Sequence, residues 1–403
     1  MENFLKFFVF LCVITSGNFA QDYNPFTSRS TRDSVEQVIK TSVENFIVTP
    51  YQDLTPDKIS GALWGAELLL YRAPNLQNKI LQILNDTLYA SKPEITIPLL
   101  QTLYTLFPSG GEETTYRLLL SSKHPKVITL SAVYLLRATD NDSIRSAINK
   151  AVSINKYPQH RLLTWWMVQK SFPSISLSDL TLITQHRLNE DLIKYILVVQ
   201  NDRNKPGTLL IQHKNSFVRD SLGRIVQLPY LARSITNLPP FLNNGNTPTG
   251  VFTVYEVSKS SNNFIGVTPT LISALPNEVD SLVFSHGQPI QSVKDYYLSL
   301  LPVSLQNNKQ MLAAYFTGFF RTEIIMHGTA IDPEYYKNEP YYPFTPSYGC
   351  MTANELWNND GELINSAQQE LLSIINHIGS AKGYLYVIEV EDGALEEFIK
   401  SVQ

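Results

Sequence analysis

The stretch "NTPTGVFTVYEVSK" at residues 246–259 decides the fold class of the C-terminal half of the chain. Apolar residues alternate with other residues after Gly250, which predicts a β-strand, and the Pro248–Gly250 stretch before them predicts a turn. Further strand candidates lie on both sides of this stretch: "KPGTLLIQHK" (205–214), "RDSLGRIVQLPYLAR" (219–233, with a turn at 221–223), "DSLVFSH" (280–286), "TEIIMHG" (322–328) and "GYLYVIEVE" (383–391). Helices are expected near 294–301 and over "NSAQQELLSIINHI" (365–378). We therefore predict a mostly β domain over residues 203–403.

Residues 31–202 have a different sequence pattern, which predicts helices throughout. Pro56, Pro93, Pro125 and Pro158 each stand where a helix would begin, and they follow one another at intervals of 37, 32 and 33 residues. A second helical pattern follows each proline, as in "DSIRSAINKAV", where Asp142 is a candidate N-cap. Helix pairs at this period predict a HEAT-like repeat domain, with an irregular helical bundle as the alternative. The predicted fold class is α+β multidomain.

The first 20 residues have the form of a signal peptide. A short charged start precedes an apolar run at residues 7–14, which is too short to span a bilayer, and small residues follow at Ser16, Gly17 and Ala20. Export to the periplasm or cell envelope is therefore expected, without a transmembrane anchor. The formal net charge of the 403 residues is −4, which gives no basic field for a nucleic-acid partner.

Cleavage of the signal peptide would leave Cys350 as the chain's single cysteine. A lone thiol in an exported protein is either buried and inert or reactive. A reactive thiol needs a base, and His286 and His327 both end strand candidates and both precede glycine. His327 is favoured because one aromatic loop separates it from Cys350, and we expect its imidazole to hold the sulfur ionised.

Three motifs in order, "NTPTGVFTV" (246–254), "MHGT" (326–329) and "SYGCM" (347–351), resemble the catalytic domain of the L,D-transpeptidases, also called the YkuD domain. The resemblance covers residues 205–395 and implies a mostly β domain that acts on peptidoglycan stem peptides. It implies that Cys350 is the nucleophile and His327 the general base, oriented by the backbone carbonyl of Gly328. Backbone N–H groups around Tyr348, Gly349 and Cys350 would form the oxyanion hole, and a thioester would be the intermediate.

The chain departs from the family pattern in the cysteine loop. Tyr348 stands where the family has a histidine, and Thr352 stands where it often has arginine or asparagine, so a carboxylate clamp would be missing. The insert between His327 and Ser347 carries an aromatic cluster that we expect to contact substrate. The predicted substrate-binding residues are Ser347, Thr352, Tyr341, Tyr342 and Phe344.

The first functional prediction is an exported cysteine-dependent L,D-transpeptidase. An L,D-carboxypeptidase with the same nucleophile is the alternative within enzymes, and a catalytically silent module that binds cell wall or organises the envelope is the alternative outside them. The helical repeats would offer a surface to an envelope protein partner or stiffen the catalytic half. The sequence contains no HExxH motif and no Cys/His ligand pairing, so neither a metal nor a cofactor is expected.

Overall fold

The structure is a computed structural model that describes residues 24–155, 157, 160–169 and 174–402. The predicted signal peptide and Pro158 lie outside the described residues. The chain forms two compact units. One is helical and comprises Ser30–Leu163 with Ile235–Pro239, and the other comprises Thr164–Ser234, Pro240–Gln403 and the described end of Gly17–Arg29.

The helical unit follows the predicted order of helices. The helices of the N-terminal region are Arg29–Val48, Pro56–Leu68, Leu76–Asn85, Thr87–Ala90, Pro93–Leu106, Glu112–Ser121, Pro125–Ala138, Asp142–Ile154 and His160–Gln169, with a 3₁₀ turn at Tyr51–Asp53. Pro56, Pro93 and Pro125 each occupy the start of a helix, as predicted. The predicted cap at Asp142 is one residue off, because the Asn141 side chain accepts the hydrogen bond from the Ile144 N–H at 2.9 Å.

Hydrogen bonds join residues about one repeat apart in this unit. The Arg72 side chain donates to the Leu106 carbonyl (2.8 Å), and the Arg117 side chain donates to the Leu84 carbonyl (2.7 Å). The buried Glu67 carboxylate accepts from Gln101 and Thr102, both at 2.7 Å. These bonds join segments about one predicted repeat apart, and those of Glu67 satisfy a buried carboxylate.

Eight strands of the second unit close into a ring. Eleven strands occur among the described residues of this unit: β1 (Ile193–Gln200), β2 (Gly207–His213), β3 (Ser216–Phe217), β4 (Leu228–Leu231), β5 (Gly250–Ser258), β6 (Thr270–Ala274), β7 (Met326–His327), β8 (Met351–Ala353), β9 (Glu355–Trp357), β10 (Leu363–Ser366) and β11 (Gly383–Val390). Their order around the ring is β1-β11-β5-β6-β7-β8-β4-β2, and β2 pairs back to β1. β3 is attached to β2, and β9 pairs with β10 separately.

The prediction of helix up to residue 202 is wrong for residues 193–200. These residues form β1, which pairs with β2 and β11, so the predicted boundary at 203 falls beyond the first strand of the ring. Alternate side chains of β1 point to opposite faces of the sheet. Tyr195 packs in the apolar core inside the ring, and Ile196 packs in a second apolar core between the outside of the ring and helices. A strand that is buried on both faces has no polar alternation, which explains the wrong prediction.

The remaining helices cover the ring. They are Leu177–Gln185, Ser281–Phe284, Val293–Ser299, Lys309–Thr317, Ala367–Ile378 and Ala394–Val402, with 3₁₀ turns at Pro25–Thr27, Val303–Leu305 and Pro333–Tyr336. The predicted strand at 280–286 is instead the short helix Ser281–Phe284, because the Asp280 side chain accepts from the Leu282 N–H and caps it. None of the helices among the described residues is both long enough and apolar enough to cross a membrane.

Candidate functional site

The three sequence motifs are linked through the loop and the strand that carry Cys350. β5, β7 and β8 run in the same direction, since β6 is antiparallel to both β5 and β7, and β7 is parallel to β8. Through β6, Met326 is level with Val257 near the end of β5, so His327 lies toward the end of β5 that is opposite to Gly250. The Thr247 hydroxyl, three residues before β5, donates to the Gly349 carbonyl at 3.0 Å. The side chains of Met326 and Met351 enter the core inside the ring, so alternation directs those of His327 and Thr352 to its outer face.

Cys350 lies in the loop that leads into β8 and is partly exposed to solvent. The loop is held from within, because the Ser347 hydroxyl donates to the Cys350 carbonyl (2.9 Å) and accepts from the Gly349 N–H (3.1 Å). Gly349 has φ +115°, a backbone conformation that a side chain would strain. One of the N–H groups predicted for the oxyanion hole is thus engaged by Ser347.

His327 ends β7 and is 5% exposed. Its Nδ1 lies 2.5 Å from the carbonyl oxygen of Gly328. A ring nitrogen beside a carbonyl oxygen must carry the proton, so this contact assigns Nδ1–H as the donor and leaves Nε2 able to accept one. Burial lowers the pKa of His327 to about 4, an effect that the Gly328 hydrogen bond partly opposes. The imidazole is therefore neutral at pH 7 and can accept a proton, although a pKa of about 4 makes it a weaker base than one whose pKa lies near the working pH.

Cys350 and His327 are neighbours across the β7–β8 ladder but are not hydrogen-bonded to each other. His327 is paired with Thr352, two residues after Cys350, which places the α-carbons of His327 and Cys350 about 8 Å apart from strand spacing and rise. The Cys350 sulfur instead donates to the Glu323 carbonyl at 3.4 Å. Although the residue is partly exposed, protein surrounds the sulfur closely enough for burial to raise the thiol pKa. The expected thiolate–imidazole pair is thus absent, and both groups are in their neutral forms.

Glu355 fixes the turn that follows His327. Its carboxylate is 2% exposed and accepts from the Thr329 N–H (2.9 Å) and from the Ser366 hydroxyl (2.7 Å). A Cβ atom at Gly328 would lie 2.1 to 2.2 Å from the Glu355 carboxyl atoms, so only glycine fits there. The Trp357 indole N–H donates to the Thr329 carbonyl at 2.9 Å. The carbonyl that orients His327 is therefore held by a buried carboxylate and a tryptophan that the sequence motifs did not reveal.

Arg321 was also missed by sequence reasoning. It precedes β7, is 2% exposed and donates to the carbonyls of Gly245 (2.7 Å) and Asn246 (2.8 Å). A Cβ atom at Gly349 would lie 1.9 Å from its Nη2, so the guanidinium packs directly against the residue before Cys350. An arginine just ahead of a short strand carries no local signal for this placement.

The predicted substrate-binding residues divide by exposure. Ser347 and Phe344 are partly exposed, and Tyr342 is 43% exposed with its hydroxyl donating to Glu334 at 2.9 Å. Thr352 and Tyr341 are each 1% exposed. The Thr352 hydroxyl donates to the Thr345 carbonyl (2.6 Å), and the Tyr341 ring lies 4.2 Å from the Arg233 guanidinium carbon. Thr352 and Tyr341 therefore hold the loop together, and a substrate could reach them only if the loop opened. Tyr348 is partly exposed.

His286, the other histidine candidate, lies beside the start of β11. Its Nε2 lies 3.0 Å from the carbonyl of Gly383, the first residue of β11, whereas Gly250, three residues after Thr247, pairs with Val387. It lines a cavity of about 500 Å³ together with His213. His286 is thus remote from Cys350 and engaged with the barrel backbone.

Among the described residues, no group of three or more His, Cys, Asp or Glu side chains is placed to hold a metal ion. No protein-family profile, curated protein or solved structure matches the chain.

Proposed function

We propose that the protein is an exported cysteine-dependent L,D-transpeptidase that acts on peptidoglycan stem peptides. His327 Nε2 takes the thiol proton, and the Cys350 sulfur attacks the carbonyl carbon of the third stem residue. The C–N bond to D-alanine breaks, the leaving amine takes the proton from His327, and a thioester remains. An amine of a neighbouring stem then attacks the thioester, His327 removes its proton, and the thiol is restored as the crosslink forms.

The contact of the cysteine loop and the strand that follows it with both other motifs is the observation that carries this proposal. Thr247 contacts the cysteine loop, and His327 is paired with the strand that the loop enters. The Gly328 carbonyl leaves Nε2 unprotonated, which is the tautomer a base needs. A partly exposed thiol, a neutral imidazole and a glycine turn within one surface supply the groups that acyl transfer requires.

The described arrangement is a resting one. The sulfur is directed to the Glu323 carbonyl, and the Gly349 N–H is directed to Ser347. Proton transfer requires the Cys350 side chain to rotate from Glu323 toward His327, and an oxyanion would have to compete with Ser347 for the Gly349 N–H. Catalytic hydrogen bonds are often long or misaligned without substrate, so this geometry is compatible with the proposed chemistry.

The same acyl-enzyme also supports an L,D-carboxypeptidase, in which water resolves the thioester. A binding module is favoured by a different observation, namely the neutral thiol whose pKa is raised by burial and which lacks a hydrogen bond to His327 among the described residues. In that reading the loop would recognise a peptide without reacting with it.

We further propose that the helical unit is a HEAT-like repeat array. Hydrogen bonds between positions 33 and 34 residues apart, as from Arg117 to Leu84 and from Arg72 to Leu106, support a repeating unit of that length. Its role would be to bind an envelope protein or to stiffen the catalytic half.

Incubation with disaccharide-tetrapeptide, followed by mass analysis of the products, separates the three functions. A crosslinked dimer with released D-alanine is the result expected of a transpeptidase. Disaccharide-tripeptide alone would indicate the carboxypeptidase. Unchanged substrate that nevertheless binds the protein, with Cys350→Ser binding equally well, would contradict both enzymatic readings and favour the binding module.

A further inference from the structure

The guanidinium of Arg321 is buried at the site rim without an ion-pair partner among the described residues. It donates to the backbone carbonyls of Pro240, Gly245 and Asn246, the last two at 2.7 and 2.8 Å. Burying a charge is costly unless it is compensated, and neutral carbonyls compensate it only in part. Its charge therefore remains available to act on nearby groups.

Two contacts place that charge beside the cysteine. Arg321 Nη2 would lie 1.9 Å from a Cβ at Gly349, so the cation packs against the peptide that precedes Cys350. The Cys350 sulfur lies on the Glu323 carbonyl, in the short segment that links Arg321 to β7. The backbone before Cys350 and the Cys350 sulfur therefore both contact the segment that begins with Arg321.

We propose that Arg321 is a positioning residue that fixes the Gly349–Cys350 turn and, through its permanent charge, stabilises the Cys350 thiolate. A buried cation is screened little by water or salt, so it acts more strongly than a surface charge at the same distance. The use of the thiolate in acyl transfer rests on the proposed function, but the effect of Arg321 on thiol ionisation does not.

The other charged and titratable groups near the sulfur oppose ionisation or are neutral. The exposed Glu323 carboxylate raises the thiol pKa, whereas Arg321 lowers it. Glu278, whose carboxylate accepts from the Glu323 N–H at 2.7 Å, offsets part of the Arg321 charge. His327, with a pKa of about 4, carries no charge at pH 7. Among the described residues, Arg321 is therefore the cation that acts on this sulfur.

The test measures the pH dependence of iodoacetamide alkylation on residues 21–403, the chain that signal-peptide cleavage would leave, in which Cys350 is the single cysteine. Arg321→Gln is expected to slow alkylation at pH 7 at least tenfold by raising the thiol pKa. Arg321→Lys keeps a charge but cannot donate to all three carbonyls, and it should stay within about threefold of the wild-type rate. His377→Gln, at an exposed position of the helix Ala367–Ile378, should also stay within about threefold. Circular dichroism and thermal unfolding establish that each variant is folded.

A folded Arg321→Gln variant with an unchanged alkylation curve would overturn the proposal. If Arg321→Gln does not fold, the Arg321→Lys variant decides the question. A folded Lys variant whose Cys350 is alkylated tenfold more slowly than that of wild type would also overturn the proposal. Charge would then not be the determinant. The result is independent of peptidoglycan chemistry. A chain that alkylates as expected but forms no product from disaccharide-tetrapeptide would refute the proposed function and leave the role of Arg321 standing.

Discussion

The hydroxyl of Thr247 donates a 3.0 Å hydrogen bond to the carbonyl oxygen of Gly349, 102 positions further along the chain. Thr247 belongs to the turn before β5, and Gly349 precedes the candidate nucleophile. The bond is buried and fixes the carbonyl of the Gly349–Cys350 peptide at the rim of the ring. The turn motif therefore serves the cysteine loop directly, beyond its architectural role in starting a strand.

Thr247→Val should slow acylation of Cys350 by a β-lactam about tenfold or more, since the loop peptide loses its anchor. It leaves a buried carbonyl unsatisfied, which costs about 1–3 kcal/mol of folding free energy. Thr249→Val is the matched control, because Thr249 donates an equivalent 3.0 Å bond to the Gln310 carbonyl away from the loop. It should lose comparable stability in urea unfolding but keep its acylation rate. Equal rates in the two variants would show that the Thr247 bond is only structural.

Gly328→Ala should destabilise the second unit and impair acylation together. Its new methyl group would collide with the Glu355 carboxylate, and overpacking of this kind costs about 1–3 kcal/mol. Gly61→Ala is the control, since no atom lies within 4 Å of the added carbon in the helix Pro56–Leu68. Gly61→Ala should be neutral or stabilising by about 0.5–1 kcal/mol. A Gly328→Ala variant with wild-type Tm and acylation rate would mean that Glu355 moves aside freely.

Stability should fall as the pH is lowered from 6.5 toward 4, and His327 should account for part of the fall. The folded pKa of about 4 lies below the ordinary value of 6.5, so the unfolded chain binds more protons in this window. The 2.5-unit difference corresponds to about 3 kcal/mol. The measurement is urea unfolding at pH 7 and pH 4. His327→Gln should lose less stability between these two values than wild type, whereas His377→Gln, on an exposed helix position, should lose as much as wild type.

Local sequence patterns, namely alternation and short motifs, predicted some parts of the fold and of the candidate site. Alternation predicted β5, β11 was among the further strand candidates, and three short motifs singled out Cys350, His327 and the turn at Thr247. β1 was missed because its residues are apolar on both faces, so the run "IKYILVVQ" lacks the period of a half-buried strand. The short helix at Ser281–Phe284 was missed because one capping side chain outweighs the apolar run.

The supporting residues of the site could not be predicted, because their roles depend on distant contacts. Arg321 contacts carbonyls about 75 residues away in sequence, and Glu355, at the start of β9, contacts the turn after His327, 26 positions earlier in the chain. Burial also contradicts the expectation that the imidazole of His327 holds the Cys350 sulfur ionised. It lowers the pKa of His327 and raises the pKa of the Cys350 thiol, so both groups are neutral. Desolvation is a property of the folded environment, and no spacing of residues in a sequence encodes it directly.

Covalent capture of Cys350 is the most direct test of the central claim that this thiol is a catalytic nucleophile. Residues 21–403 would be incubated with a carbapenem and analysed by intact-protein mass spectrometry. We predict one stoichiometric adduct that maps to Cys350 and is lost in Cys350→Ser. The adduct should form at least tenfold more slowly in His327→Gln. In the control His286→Gln it should form at the wild-type rate. A folded wild-type chain that forms no adduct, while iodoacetamide still alkylates Cys350, would contradict the enzymatic account.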